Sequence, residues 1–222
     1  MTRVVVKLGG AVAQRGVARV LELSAAGVEV VVVHGAGPQI SAELRRRGIP
    51  VEFVRGRRVT SDAALAVVRE SLRAVGEQIA AELGPRALPL TGDEIGLQAE
   101  VLPELGFVGE PLPCRPPAIE AALAAGRIPV VAPIAVGPLN VNADEAATAL
   151  AVGLDADRVV FVTDVPGVFV EGALAERIEA VHADRLLAAG AFEGGIVPKL
   201  LAAVRAARLG VQAEIGTTEV LA

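Results

Sequence analysis

The feature that most constrains this chain is the run 28–33, Val-Glu-Val-Val-Val-Val, which passes directly into His34-Gly35-Ala36-Gly37-Pro38. β-Branched side chains favour an extended backbone, and a strand without polar alternation must be buried on both faces. Such a strand belongs in the middle of a sheet covered by helices on either side. An amphipathic stretch reaching about residue 26 and closed by Gly27 precedes the run. A helical stretch at 39–47, stopped by Gly48, follows it. The segment Arg3–Leu8 has the same character and also runs into glycines, Gly9 and Gly10. Strand, glycine turn and helix therefore repeat, and that order dictates a parallel sheet with right-handed crossovers.

The same reading places further strands at 87–90, 128–133, 158–162 and 211–215. Hairpins are expected at 51–54 with 57–60 and at 97–102 with 106–112. Helices are expected over Asp62–Leu83 with Thr60 or Ser61 as cap, over 118–125, from Asp144 to about Gly153, over 183–189 and over 198–209. The fold class is α/β: a three-layer sandwich around a central, mostly parallel sheet. Gly137-Pro138 reads as a hinge between an N-terminal lobe, 1–136, and a C-terminal lobe, 137–222.

Several function classes drop out on composition. The longest apolar runs fall far short of the roughly 18–20 residues that span a bilayer, and Met1-Thr2-Arg3 opens no signal peptide. A cytoplasmic protein without membrane contact is expected. A net charge of −5 and a sequence pI of about 5.2 argue against a nucleic-acid surface. Cys114 is the one cysteine and His34 and His182 the two histidines, so neither a disulfide nor an ordinary zinc site is expected.

Within 21 basic residues there are two lysines, Lys7 and Lys199, and the chain has two asparagines, Asn140 and Asn142. Lys7 ends the first strand, where a core residue is the ordinary occupant. Lys199 stands in the first turn of a helix just after Gly194-Gly195. Loops at the carboxyl ends of parallel strands, and helix N-termini there, favour anions. A phosphoryl group in transfer spreads charge over its equatorial oxygens, so its catalysis is largely positioning and charge neutralisation. Two lysines suit that task, and Asp144 is the natural acid to set their geometry. No Walker A pattern is present. Gly35-Ala36-Gly37 opens like a dinucleotide loop, but Ile40 stands where a third glycine is needed.

These residues resemble the amino-acid kinase family, in particular its branch acting on N-acetylglutamate. The matching strings are Val6-Lys7-Leu8-Gly9-Gly10, His34-Gly35-Ala36-Gly37-Pro38, Gly56-Arg57-Arg58-Val59-Thr60, Asn140-Val141-Asn142-Ala143-Asp144, Thr163-Asp164-Val165-Pro166-Gly167 and Gly194-Gly195-Ile196-Val197-Pro198-Lys199. They keep the family's order and span nearly the whole chain. The resemblance implies ATP-dependent phosphorylation of a substrate carboxylate to an acyl phosphate, with Mg²⁺ arriving with ATP. It implies that Lys7 and Lys199 stabilise the transition state, that Asp144 orients them, and that Gly9 and Gly10 donate backbone N–H groups. It gives Ala36, Gly37, Arg58, Asn140 and Asn142 to the acyl amino acid. Thr163, Asp164, Val165, Gly167, Phe169, Phe192 and Ile196 go to the nucleotide. The acyl site falls in the N-terminal lobe and the nucleotide site in the C-terminal lobe.

The sequence also departs from the family. Ala36 replaces the usual middle glycine, and Arg57 stands where the family usually has Leu. The region around Gly92-Asp93, the stretch after Gly167 and the C-terminus are short. The family's extra N-terminal helix of arginine-regulated hexamers has no counterpart here, so a homodimer is expected. Rival readings are a kinase for an aminoadipate group, free or carrier-linked, a trimmed inactive sensor, and a dinucleotide oxidoreductase.

Overall fold

The computed structural model describes residues 2–9 and 13–222. Among these, the largest sheet has eight strands in the order Arg177–Glu179, Thr218–Leu221, Gln212–Ile215, Arg158–Phe161, Arg3–Leu8, Glu29–His34, Ile128–Ala132, Ala87–Thr91. The last six run parallel; Thr218–Leu221 turns back antiparallel to Gln212–Ile215. Arg3–Leu8 lies at the centre, with Lys7 paired to Phe161 on one side and Val33 on the other. The parallel sheet and its helix crossovers agree with the strand–glycine–helix reading.

Alternation along the strands divides the core in two. Val5, Val31, Val33, Val131, Val159 and Phe161 face one way and pack with Leu150 and Leu200. Val4, Val6, Leu8, Val30, Val32, Val130 and Val160 face the other way and pack with Val17, Val20, Ile79 and Leu83. Each such valine, buried from water, contributes roughly 1.5–3 kcal/mol. On the first face lie the helices Ala143–Gly153 and Ile196–Arg208; on the second, Ala13–Ala25 and Asp62–Leu83. Lys7 shares the face of Val5, so its side chain enters the layer between the sheet and the helix Ala143–Gly153.

Local signals explain most element ends. Ser61 caps Asp62–Leu83, its hydroxyl accepting from Ala64 N at 3.2 Å. Thr60, the other candidate cap, is buried and donates to Arg58 O at 2.8 Å instead. Asn142 caps Ala143–Gly153, its Oδ1 accepting from Asp144 N at 2.8 Å and Glu145 N at 3.3 Å. No helix among the described residues is long and apolar enough to cross a membrane.

Two features add detail to the expected architecture. Gly137 (φ +110°) and Pro138 form the turn between the short strands Ile134–Ala135 and Leu139–Val141. Those strands join Val108–Pro111 and Ala99–Val101 in a second, four-stranded sheet. The chain therefore passes between its halves through a turn inside a sheet. The C-terminal end is also more structured than expected, because Thr218–Leu221 and Arg177–Glu179 extend the main sheet.

One buried group titrates abnormally. The His34 imidazole is fully buried, and neither ring nitrogen has a hydrogen-bond partner. It lies so close to the helix Asp62–Leu83 that a Cβ at residue 76 would approach Nε2 to 2.9 Å, which accounts for glycine in a helix interior. Burial holds the His34 pKa down to about 4 from 6.5. The folded state thus binds fewer protons than the unfolded chain between those values, and stability falls as pH drops through that window. Urea denaturation should show roughly 2 kcal/mol lost through this group between pH 7 and 5. A His34→Phe variant that folds should flatten that slope; an unchanged slope would contradict it.

Candidate active site

Asn142, by capping its helix, fixes the first turn that carries Asp144. From there the Asp144 carboxylate reaches under the end of the central strand, and its Oδ1 lies 2.9 Å from Lys7 Nζ. This is a contact of charges without an aligned hydrogen bond to Oδ1. Both residues are 5% exposed. Lys199, in the first turn of Ile196–Arg208, brings its Nζ to 3.9 Å from the same oxygen and donates to Gly195 O at 3.2 Å. Burial pushes the Lys199 ammonium pKa down, and repulsion from Lys7 adds to that; Asp144 and Asp164 oppose it. Two ammonium groups share one carboxylate in a place with little water. The excess positive charge favours an anion between them.

Two cavities meet at this trio. The smaller, about 190 Å³, is lined by Lys7, Ala36, Gly37, Arg58, Asn140, Asn142 and Asp144, among others. All five residues expected at the acyl site are there. Ala36 has φ −139°, so a side chain in place of glycine brings no strain, and its N–H stands at the start of the helix Gly37–Arg46. Arg58 is buried; its Nη2 donates to Ser41 Oγ at 2.8 Å and Gly37 O at 3.2 Å, and its guanidinium lies 4.5 Å over the Phe53 ring. Its other terminal nitrogen, Nη1, is buried and has no partner. Burial lowers the Arg58 pKa, with Arg45 adding to the effect. An unsatisfied guanidinium nitrogen in a cavity is a ready receptor for a carboxylate. Asn140 Nδ2 donates to Thr60 Oγ1 at 3.0 Å.

The larger cleft, about 460 Å³, is lined by Thr163, Asp164, Val165, Gly167, Phe169, Phe192, Glu193, Ile196 and Lys199, among others. It contains all seven residues expected at the nucleotide. Val165 and Phe169 are exposed and offer apolar walls. Gly167 is required by close approach, since a Cβ there would meet Thr218 Oγ1 at 2.4 Å. That hydroxyl accepts from Val168 N at 2.8 Å and donates to Ala175 O at 2.7 Å. Thr218, in the short C-terminal segment, carries no local signal of this role in the sequence. Gly9 follows the central strand directly; Gly10 lies outside the described residues. Among the described residues no cluster of three or more His, Cys, Asp or Glu could hold a metal.

The geometry can be set beside known proteins. The model of the amino acid kinase family matches residues 2–216. An acetylglutamate kinase of Geobacillus stearothermophilus is 39% identical over 218 aligned residues, covering 91% of this chain and 84% of its own length. One from Rubrobacter xylanophilus is 38% identical, covering 97% and 88%. The crystal structure of smu.665 from Streptococcus mutans UA159 superposes with a TM-score of 0.90 at 29% identity, covering 99% of this chain and 98% of that one. The chain therefore belongs to the amino acid kinase family, in its acetylglutamate kinase branch.

Proposed function

We propose that this protein transfers the γ-phosphoryl group of ATP to the γ-carboxylate of N-acetyl-L-glutamate, forming an acyl phosphate in arginine biosynthesis. The observation that carries the proposal is the trio Lys7, Asp144 and Lys199 at the junction of a small cavity and a nucleotide-sized cleft. We assign the acyl site to the first 136 residues, completed by Asn140 and Asn142 just beyond them, and the nucleotide site to the rest of the chain. Arg58 would take the substrate α-carboxylate, the N–H groups of Ala36 and Gly37 the γ-carboxylate, and Asn140 the acetamido end. Asn142 lines the same cavity, but its carbonyl oxygen is engaged as a helix cap. Its role is to aim Asp144.

The reaction needs no general base, because a carboxylate is already a nucleophile at neutral pH. What this chain supplies is alignment and charge. Lys7 would hold the phosphoryl oxygens from the acceptor side and Lys199 from the donor side, while Asp144 keeps the two ammonium groups apart and directed. Gly9 and Gly10 would add backbone donors. Mg²⁺ would be carried in on the nucleotide phosphates and would supply charge neutralisation there. It needs at most one or two protein carboxylates, and Asp164 and Glu193 line the cleft. A homodimer is the assembly we propose, since the sheet ends at Ala87–Thr91, an edge able to receive a second copy. We place the protein in the cytoplasm.

Hydroxylamine trapping should detect acyl phosphate from ATP with N-acetylglutamate, and far less with N-acetylaminoadipate or free glutamate. ATP binding without any trapped product would refute the proposal. Lys199→Arg keeps the charge but replaces a compact ammonium with a planar fork, and should lower kcat by roughly a hundredfold. Near-normal turnover would remove Lys199 from its role. Asp144→Asn leaves Lys7 buried without a counter-charge and should cost roughly 3 kcal/mol of stability in urea, partly recovered by inorganic phosphate. An unchanged midpoint that does not respond to phosphate would contradict the charge balance described.

A further inference from the structure

The acyl cavity is roofed by a hairpin too small to hold itself. Its strands, Phe53–Val54 and Arg57–Arg58, have two residues each, and the Phe53 and Val54 side chains are exposed. Isolated hairpins are marginal in water even when longer. The turn adds to the difficulty. Arg55 (φ +49°) and Gly56 (φ +79°) both lie in the left-handed region, where a two-residue turn ordinarily favours Asn-Gly. The hairpin must be fixed from outside.

Arg57 does this through charge. Its Nε donates at 3.1 Å to both oxygens of Glu145, and its Nη2 donates at 2.9 Å to Glu110 Oε2. Arg205 Nη1 donates at 2.8 Å to the other oxygen of Glu110. The four side chains form an electrically neutral chain, partly shielded from solvent. Glu145 is the neighbour of Asp144, and Arg205 shares a helix with Lys199. At the tip, Asn142 Nδ2 lies 3.4 Å from Gly56 O, and a Cβ at Gly56 would stand 3.9 Å from Pro198 Cβ. The roof thus lies beside the first turn of the Lys199 helix.

We propose that Arg57 is a positioning residue for the acyl substrate: through the chain Glu145–Arg57–Glu110–Arg205 it fixes the hairpin so that Arg58 faces the cavity, and ties that roof to the helices carrying Asp144 and Lys199. A leucine at position 57 would keep the backbone ladder of the hairpin. It would, however, leave Glu145 without its cation, and burial already pushes that carboxyl pKa up despite the hydrogen bonds from Arg57. None of the four residues lines the nucleotide cleft. The effect should therefore fall on one substrate and not on both.

The kinetic part of this inference rests on the kinase reading, so the test has a second arm that does not. Arg57→Leu, Arg57→Lys and the double variant Arg57→Leu/Glu145→Leu are compared with the parent in steady-state kinetics. Hydrogen exchange of the unliganded proteins is followed across 51–60, where Val59 N donates to Glu52 O. The single leucine variant should raise KM for the acyl substrate roughly tenfold and leave KM for ATP within about twofold, as loss of a partly exposed charge network predicts. It should also speed exchange in the hairpin. Lysine should restore part of both effects, and the double variant should recover part by removing the stranded carboxylate. Unchanged exchange and unchanged acyl KM in the leucine variant would overturn the proposal. So would an equal rise in both KM values. If the parent protein makes no acyl phosphate, the kinase reading fails by itself, and exchange still decides whether Arg57 holds the hairpin.

Discussion

The contact on which the rest of the site depends is the buried pair Lys7–Asp144, 2.9 Å apart at the end of the central strand. A lysine ammonium sheltered from water is tolerated only beside a counter-charge. Asp144 supplies one, but it also lies 3.9 Å from Lys199, so the trio holds two positive charges against one negative. Each lysine comes from a different half of the chain, and each opens onto a different cavity. The charge excess lies at the boundary where donor and acceptor would meet. Its location is set by strand register, by an asparagine helix cap and by the first turn of one further helix.

Much of this is legible in the sequence. Valine-rich strands without polar alternation required a doubly covered parallel sheet, and the glycine-rich loops after them marked its functional edge. Lys7 and Lys199 stand out because the chain otherwise uses arginine. Asn142, two residues ahead of Asp144, occupies a position whose side chain naturally caps a helix. The resemblance of the motifs to one family then grouped residues scattered over the chain. The cavities contain the residues so grouped, apart from Gly9, which simply follows the strand, and Gly10, which is not described.

What could not be read depends on partners far apart in the chain. Arg57 meets Glu110 and Glu145 across 53 and 88 residues, and Thr218 supports the loop at Val168 from 50 residues away. Neither pattern has a local periodicity to reveal it. The strands Phe169–Val170 and Ala173–Leu174 have two residues each, too few for alternation to register. The setting of Gly137-Pro138 was hidden for a related reason. A Gly-Pro pair signals a turn in any setting, and the antiparallel pairing of Ile134–Ala135 with Leu139–Val141 shows that this turn lies within a sheet. His34 likewise gave no sign that its imidazole would account for a glycine in the long helix.

In the proposed reaction Lys7 and Lys199 hold one phosphoryl group between them, with Asp144 as their spacer. A crystal structure with ADP, Mg²⁺, N-acetylglutamate and aluminium fluoride tests it most directly, because the planar fluoride mimics the group in flight. The fluoride should lie between the two ammonium groups, in line with the nucleotide β-phosphate and the substrate γ-carboxylate. A fluoride bound elsewhere, or in contact with neither lysine, would contradict it.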